Sequence, residues 1–267
     1  MRVYRGRGRL AFRLSGFSGS AEPDRGAAVR PMDKAAVGEG DLPESAMRLD
    51  IFADVVCPWC WIGKRRLERA LTERPQAGVA IRWRAFQLNP GMPPGGMDRR
   101  EYLTAKFGND THATRVYDAV RSAGRAEGLA FDFEQILRTP STLDAHRLIR
   151  LAQEDGKGSR LIELLFRAYF SGGEDIGDRS VLLRLAGAAR IETAKVRRLL
   201  DGVEGVDAVQ SEDALARRHG INGVPCYIFN GKFALAGAHE PEVLFQLFDL
   251  AREDDTSAAS GASAAGA

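Results

Sequence analysis

Leu49 to Val56 is an almost continuous apolar run that leads into Cys57, the pattern of a strand covered on both faces. Cys60, Gly63, Leu67 and Leu71 then fall on one stripe at spacings of three and four, which predicts a helix. Val79, Ile81, Trp83 and Ala85 alternate with Arg82 and Arg84, as in a second, less buried strand. The middle of the chain reads as helical. Ser141-Thr-Leu-Asp144 has the form of a capping box ahead of Ala145, Leu148, Ile149 and Ala152. Leu161, Leu164, Leu165 and Ala168 repeat the helical spacing, as do Val181, Leu182, Leu185 and Ala189. Gly220 is placed to cap a helix ending at His219. Beyond Pro225, two short apolar runs, 226–229 and 232–235, flank Asn230-Gly231, a strong hairpin signal, and a last helix starts near Glu240-Pro241. The expected fold class is α/β: a βαβ half and a ββα half sharing a central mixed sheet, interrupted by a large all-helical insertion.

Both ends read differently. Residues 1–46 are rich in Gly, Ala, Pro and Arg without helical or strand periodicity, and five arginines precede the first acid, Glu22. No stretch there has the apolar core of a secretory signal. Met47 directly precedes the first strand, so a start codon assigned too far upstream accounts for this segment as well as a functional arm does. Residues 256–267 contain only Thr, Ser, Ala and Gly, which bury too little surface to offset the entropy of ordering. The expected organisation is a disordered extension over 1–46, a first half over 47–90, a helical insertion over 91–205, a second half over 206–253, and a disordered tail over 254–267.

Composition narrows the function. Among 267 residues, 38 Lys+Arg against 36 Asp+Glu leave a net charge of +2, which offers no electrostatic footprint for nucleic acid. No apolar run approaches the roughly 20 residues that cross a bilayer. The 3 cysteines are too few and too unevenly spaced for a disulfide framework. With no secretory signal, the expected compartment is the cytoplasm, among reduced thiols.

The candidate chemistry lies at Cys57-Pro-Trp-Cys60, at a strand-to-helix junction. Unpaired N–H groups and the helix dipole there favour a thiolate at Cys57, since thiols in such sites titrate at roughly 3.5–7.5 instead of about 8.5. Cys57 precedes the helix and is expected to face solvent, whereas Cys60 begins the buried stripe. An exposed nucleophile beside a buried resolving thiol suits two-step disulfide exchange. The competing readings are inert packing and a zinc site drawn from Cys57, Cys60, Cys226 and His219 or His239. Structural zinc usually shows two close ligand pairs, and only one is present, so no metal is expected.

Cys57-Pro-Trp-Cys60-Trp-Ile-Gly-Lys64, Phe86-Gln-Leu-Asn-Pro90, Ala145-His-Arg147, Gly223-Val-Pro225 and the run from Asn230 to Ala238 resemble the FrnE-type branch of the DsbA family, in the right order and over nearly all of 47–253. The resemblance implies a thioredoxin fold and thiol–disulfide oxidoreductase activity on protein or small-molecule thiols, with glutathione a candidate partner and no cofactor beyond the Cys57–Cys60 disulfide. It also implies a cis bond between Val224 and Pro225 beside the Cys57 sulfur. Pro58, Trp59, Val224, Pro225, Gly237 and Ala238 would form the substrate surface, with the Val224 backbone free to pair with an extended chain. Related folds supply one alternative, a glutathione-binding isomerase or transferase of the kappa-class or 2-hydroxychromene-2-carboxylate isomerase type; a quite different one is a non-catalytic binding module whose cysteine pair is vestigial.

The sequence departs from the family where an acid usually stands six residues before the first cysteine, a position held here by Ile51. Asp54 is the nearest carboxylate, and alternation assigns it to a strand end or helix cap. Trp59 stands where DsbA has a histidine; a neutral indole stabilises a thiolate less than an imidazolium, which implies a weaker oxidant. Cys226, His146 and His239 are candidate tuning residues. Cys226 is expected in the core beside Ile228, His239 at a helix start, and His146 and Arg147 along the groove between insertion and core. Lys64, Arg65 and Arg66 are expected to form a solvated face.

Overall fold

A computed structural model describes residues 30–31, 47–108 and 110–264. Two residues of the N-terminal segment, Arg30–Pro31, form β1. The βαβ half follows as β2 (Met47–Ala53), α1 (Pro58–Glu73) and β3 (Val79–Ala85). Next come β4 (Met97–Asp98), α2 (Arg99–Phe107), α3 (Asp110–Ala126), a short 3-10 turn and β5 (Arg138–Thr139). Helices α4 (Leu143–Glu154), α5 (Gly158–Phe170), α6 (Arg179–Ala188) and α7 (Thr193–Asp201) lead to α8 (Val206–Arg218). The chain closes with β6 (Cys226–Phe229), β7 (Phe233–Ala236) and α9 (Pro241–Ala264).

The main sheet has the order β1-β7-β6-β2-β3. Only β2 and β3 run parallel, as a right-handed crossover through α1 requires, and the other neighbours are antiparallel. Apolar side chains fill both faces, which is why β2 reads as a near-continuous apolar run. Leu49 and Ile51 join the larger core under α1, α5 and α9, whereas Phe52 joins Phe86, Ala216, Ile221, Cys226 and Ile228 under α8. The β6–β7 turn places Asn230 at φ 49° and Gly231 at φ 69°, the left-handed pair that a two-residue hairpin favours. This is the thioredoxin arrangement with a mainly helical insertion; it is not all-helical as expected, because β4 and β5 pair in a short antiparallel ribbon within it.

Several local expectations are corrected. Thr142, not Ser141, is the N-cap of α4, and no side-chain cap bond forms. Asp144 instead accepts from Arg147 at 2.6 Å. Within the segment 1–46, expected to be disordered, Arg30 and Pro31 pair with Ala234 and Phe233; the rest of it lies outside the described residues. The expected tail also differs, because α9 continues to Ala264. Alanine is the best helix former, so a helix anchored by buried Leu244, Leu247 and Phe248 propagates into the Ala-rich stretch.

Candidate active site

Strand β2 ends at Ala53, and a tight turn delivers the chain into α1. The Cys57 N–H donates to the Asp54 carbonyl at 3.0 Å, and the Cys60 N–H donates to the Cys57 carbonyl at 3.0 Å. Cys57 is the N-cap and Pro58 takes the first helical turn, where a missing N–H costs nothing. All three cysteines are reduced.

The two thiols of the motif are side by side, but the expected contrast in exposure is absent. Cys57 and Cys60 are each 1% exposed. Cys57 is covered because the loop before β6 closes over it, its thiol donating to the Val224 carbonyl at 3.4 Å. The asymmetry lies in chemistry instead. Burial pushes the Cys60 thiol well above its ordinary range, and the neighbouring Cys57 sulfur pushes it further. The Asp54 main chain, hydrogen-bonded to Cys60, partly offsets this, while the Asp54 carboxylate adds to the rise.

The opposing wall is built from the second half of the fold. The Val224–Pro225 bond is cis, with Pro225 buried and Val224 half-buried. Its fit against α1 depends on Gly63. A Cβ at that position would run into the Tyr227 hydroxyl and lie 3.0 Å from Pro225 Cγ and 3.3 Å from Ala238 Cβ. Gly237 adopts φ +104° and donates its N–H to the Pro225 carbonyl at 2.8 Å. Arg66 holds the next residue, donating to the Ala238 carbonyl at 2.5 Å. Pro225, Gly237 and Ala238 therefore meet α1, and Trp59 is half-buried at the start of that helix.

Asp54 stands at the end of β2 but is not the cap of α1, a position that Cys57 takes. The chain turns immediately after β2, so strand alternation does not extend to it, and its side chain is fully buried. One carboxylate oxygen accepts the Leu88 N–H at 2.7 Å; the other lies 3.3 Å from Nε2 of His146, itself 3% exposed. His146 is buried and lines a small cleft between insertion and core, with Trp83, Arg84 and Ala85 on one side and Ile149 and Arg150 on its own helix. Arg147 points to the end of α7, donating to the carbonyls of Leu199, Gly202 and Glu204, and holds the insertion together.

The other candidates lie apart. Cys226 is buried on the opposite face of the sheet beside Ile228, where burial raises its thiol to about 12. His239 folds back onto its own loop, with Nε2 2.8 Å from the Ala236 carbonyl. Among the described residues no three His, Cys, Asp or Glu side chains converge as a metal site would require, so the zinc set is not assembled. Lys64 and Arg66 do not form a solvated face. Lys64 lies between Glu68 and Glu163, and Arg66 pairs with Glu127 and Glu240. Sequence reasoning overlooked Tyr227, whose buried hydroxyl sits against Gly63; its only signal was its position two residues after Pro225.

A cysteine pair at the first turn of the helix after β2, faced by a proline loop before β6, defines a protein of the thioredoxin-fold class. Residues 48–249 match the DSBA-like thioredoxin domain model, and the chain belongs to that family. A probable DsbA oxidoreductase from Streptomyces coelicolor is 32% identical, with a TM-score of 0.72 over 78% of this chain and 90% of that one. An uncharacterized protein of Bacillus subtilis, YwbO, is 24% identical over 74% of this chain and 93% of its own length. The cytosolic disulfide reductase DsbM of Pseudomonas aeruginosa, solved with glutathione, shares the fold at 22% identity, with a TM-score of 0.51 over 70% of this chain and 88% of that one. No helix among the described residues is long and apolar enough to cross a membrane.

Proposed function

We propose that this chain is a thiol–disulfide oxidoreductase of the FrnE-type branch, working through the Cys57–Cys60 dithiol in the cytoplasm on protein or small-molecule thiols, with glutathione a candidate partner. The observation that carries this reading is the adjacency of the two thiols, with Cys57 on the Val224 carbonyl. Cys57 attacks a substrate disulfide, forming a mixed disulfide and expelling one thiolate. Cys60 then attacks the Cys57 sulfur, the Cys57–Cys60 bond forms, and the second substrate sulfur leaves. The same steps run backwards when the substrate is the stronger reductant.

Pro58, Trp59, Val224, Pro225, Gly237 and Ala238 make the surface that meets substrate, and the Val224 main chain presents a backbone edge to an extended peptide. The test is exchange with a disulfide substrate by wild type, Cys57→Ser and Cys60→Ser. Cys57→Ser should abolish turnover, and Cys60→Ser should stall as a mixed disulfide visible on a non-reducing gel. Turnover that survives Cys60→Ser would replace this reading with the glutathione-dependent isomerase or transferase alternative.

A further inference from the structure

The exchange proposed above leaves one proton without a destination. Cys60 is buried and its thiol is held protonated by burial and by the sulfur beside it, yet it must lose that proton to attack Cys57. A free buried thiolate would be an uncompensated negative charge in a dry site. Moving the proton to a neighbouring buried base avoids this, because the cluster keeps its net charge.

Such a base is present behind the motif. Oδ1 of Asp54 and Nε2 of His146 lie 3.3 Å apart, both in the interior, and among the described residues neither has a hydrogen-bond partner. Buried polar atoms left in this state are uncommon. Here a proton on one atom, with a small turn of the ring, would satisfy both. Asp54 is tied to Cys60 through its main chain and fixed by the Leu88 N–H, so its carboxylate cannot swing away. His146 lines a small cleft together with Trp83, Arg84, Ala85 and Arg150, the Arg150 side chain being 39% exposed.

We propose that Asp54 and His146 act as one proton-accepting pair for Cys60. With Cys57 in a mixed disulfide, Cys60 gives its proton to the pair as its sulfur bonds to Cys57. The bond from Cys57 to the substrate sulfur breaks, the electron pair departs with that sulfur, and solvent protonates it. In the reverse direction the pair returns the proton to Cys60. The charged and titratable groups around the pair are few. Cys60 interacts with Asp54 from α1, with Cys57 beside it at the N-cap, and Arg150 shares the helix of His146. Arg84 is on β3, and Glu212 and Asp213 on α8 bind the N–H groups of Ala85 and Gln87. Glu212 pairs with Arg84 and Arg150, and Asp213 with Arg217, so these acids are already engaged.

This inference rests on the dithiol-exchange reading, and one experiment separates the two. Reduced full-length protein is mixed with the chromogenic disulfide 5,5′-dithiobis(2-nitrobenzoate). The first thionitrobenzoate released reports attack by Cys57, and the second reports closure by Cys60. Asp54→Asn should slow the second phase about a hundredfold near neutral pH, within the usual range for a positioned base, and make it rise steadily with hydroxide. The first phase should stay within about threefold. His146→Gln should slow closure about tenfold and shift its pH profile. It carries the test by itself if Asp54→Asn does not fold. A second phase with unchanged rate and pH profile in a folded variant overturns the pair, as does equal slowing of both phases. Release of only one thionitrobenzoate per protein by the wild type would instead overturn the exchange reading.

Discussion

Gly63→Ala separates a glycine that merely tolerates its place from one that the site requires. Position 63 is inside α1, where alanine is favoured over glycine by about 1 kcal/mol, so propensity alone predicts a more stable protein. The surroundings predict the reverse. The new methyl would overlap the Tyr227 hydroxyl and press on Pro225 Cγ at 3.0 Å and Ala238 Cβ at 3.3 Å. Tyr227 cannot yield easily, because its ring is 1% exposed and its backbone pairs with Ile51 on one side and Leu235 on the other. Overpacking of this kind costs about 1–3 kcal/mol, so the two terms sum to a net loss of up to about 2 kcal/mol. Relief requires α1 to move away from the proline loop, and a misplacement approaching an ångström at a reacting centre can slow chemistry by about tenfold or more. Urea unfolding of the reduced protein and the initial rate of disulfide exchange read the two effects. A variant stabilised by about 1 kcal/mol with unchanged exchange would refute the claim that Gly63 sets the fit between the two halves of the site.

Cys226→Ala should leave exchange within about threefold and cost about 1–2 kcal/mol for the lost buried sulfur. In the wild type, Cys226 should resist iodoacetamide at pH 8 until the chain unfolds, since its thiol is raised to about 12; a mixed disulfide trapped on Cys226 would contradict this. Glu163→Gln tests the ion pairs beneath α1. Burial by itself would raise the Glu163 carboxyl, but Lys64, Arg65 and the Trp61 N–H outweigh it and hold the group below its usual range. A depressed folded-state value means stability that is present above the unfolded value, about 4.3, and is lost as pH falls through the folded one. The variant should therefore be less stable by about 1–2 kcal/mol at pH 7, with the gap closing towards pH 3. A gap independent of pH would assign the loss to packing.

How far the chain could be read in advance depended on the range of the interactions involved. Period-two and period-three-to-four patterns reflect which residues meet the nearest core, so β2, α1, β3 and the β6–β7 hairpin were visible as sequence. The cysteine pair was equally visible, because its chemistry needs only a strand end, a helix start and a short spacing. The burial of Cys226 followed from alternation with Ile228 for the same local reason.

What the sequence determined by itself was thus the order of the main elements, though not β1, β4 or β5, together with the class of fold and the close cysteine pair. Tertiary structure alone decided what surrounds them. Cys57 is covered because a loop from the far end of the chain lies over it, and no local pattern encodes that approach. Asp54 read as a cap since it stands beside a helix start, but the turn after β2 sends its carboxylate to His146 on a helix of the insertion. Lys64 and Arg66 read as solvated charges, yet Glu163, Glu127 and Glu240 reach them from other elements. A buried charge is tolerated only where a partner arrives, and partners distant in sequence are brought together by the packing of the whole chain.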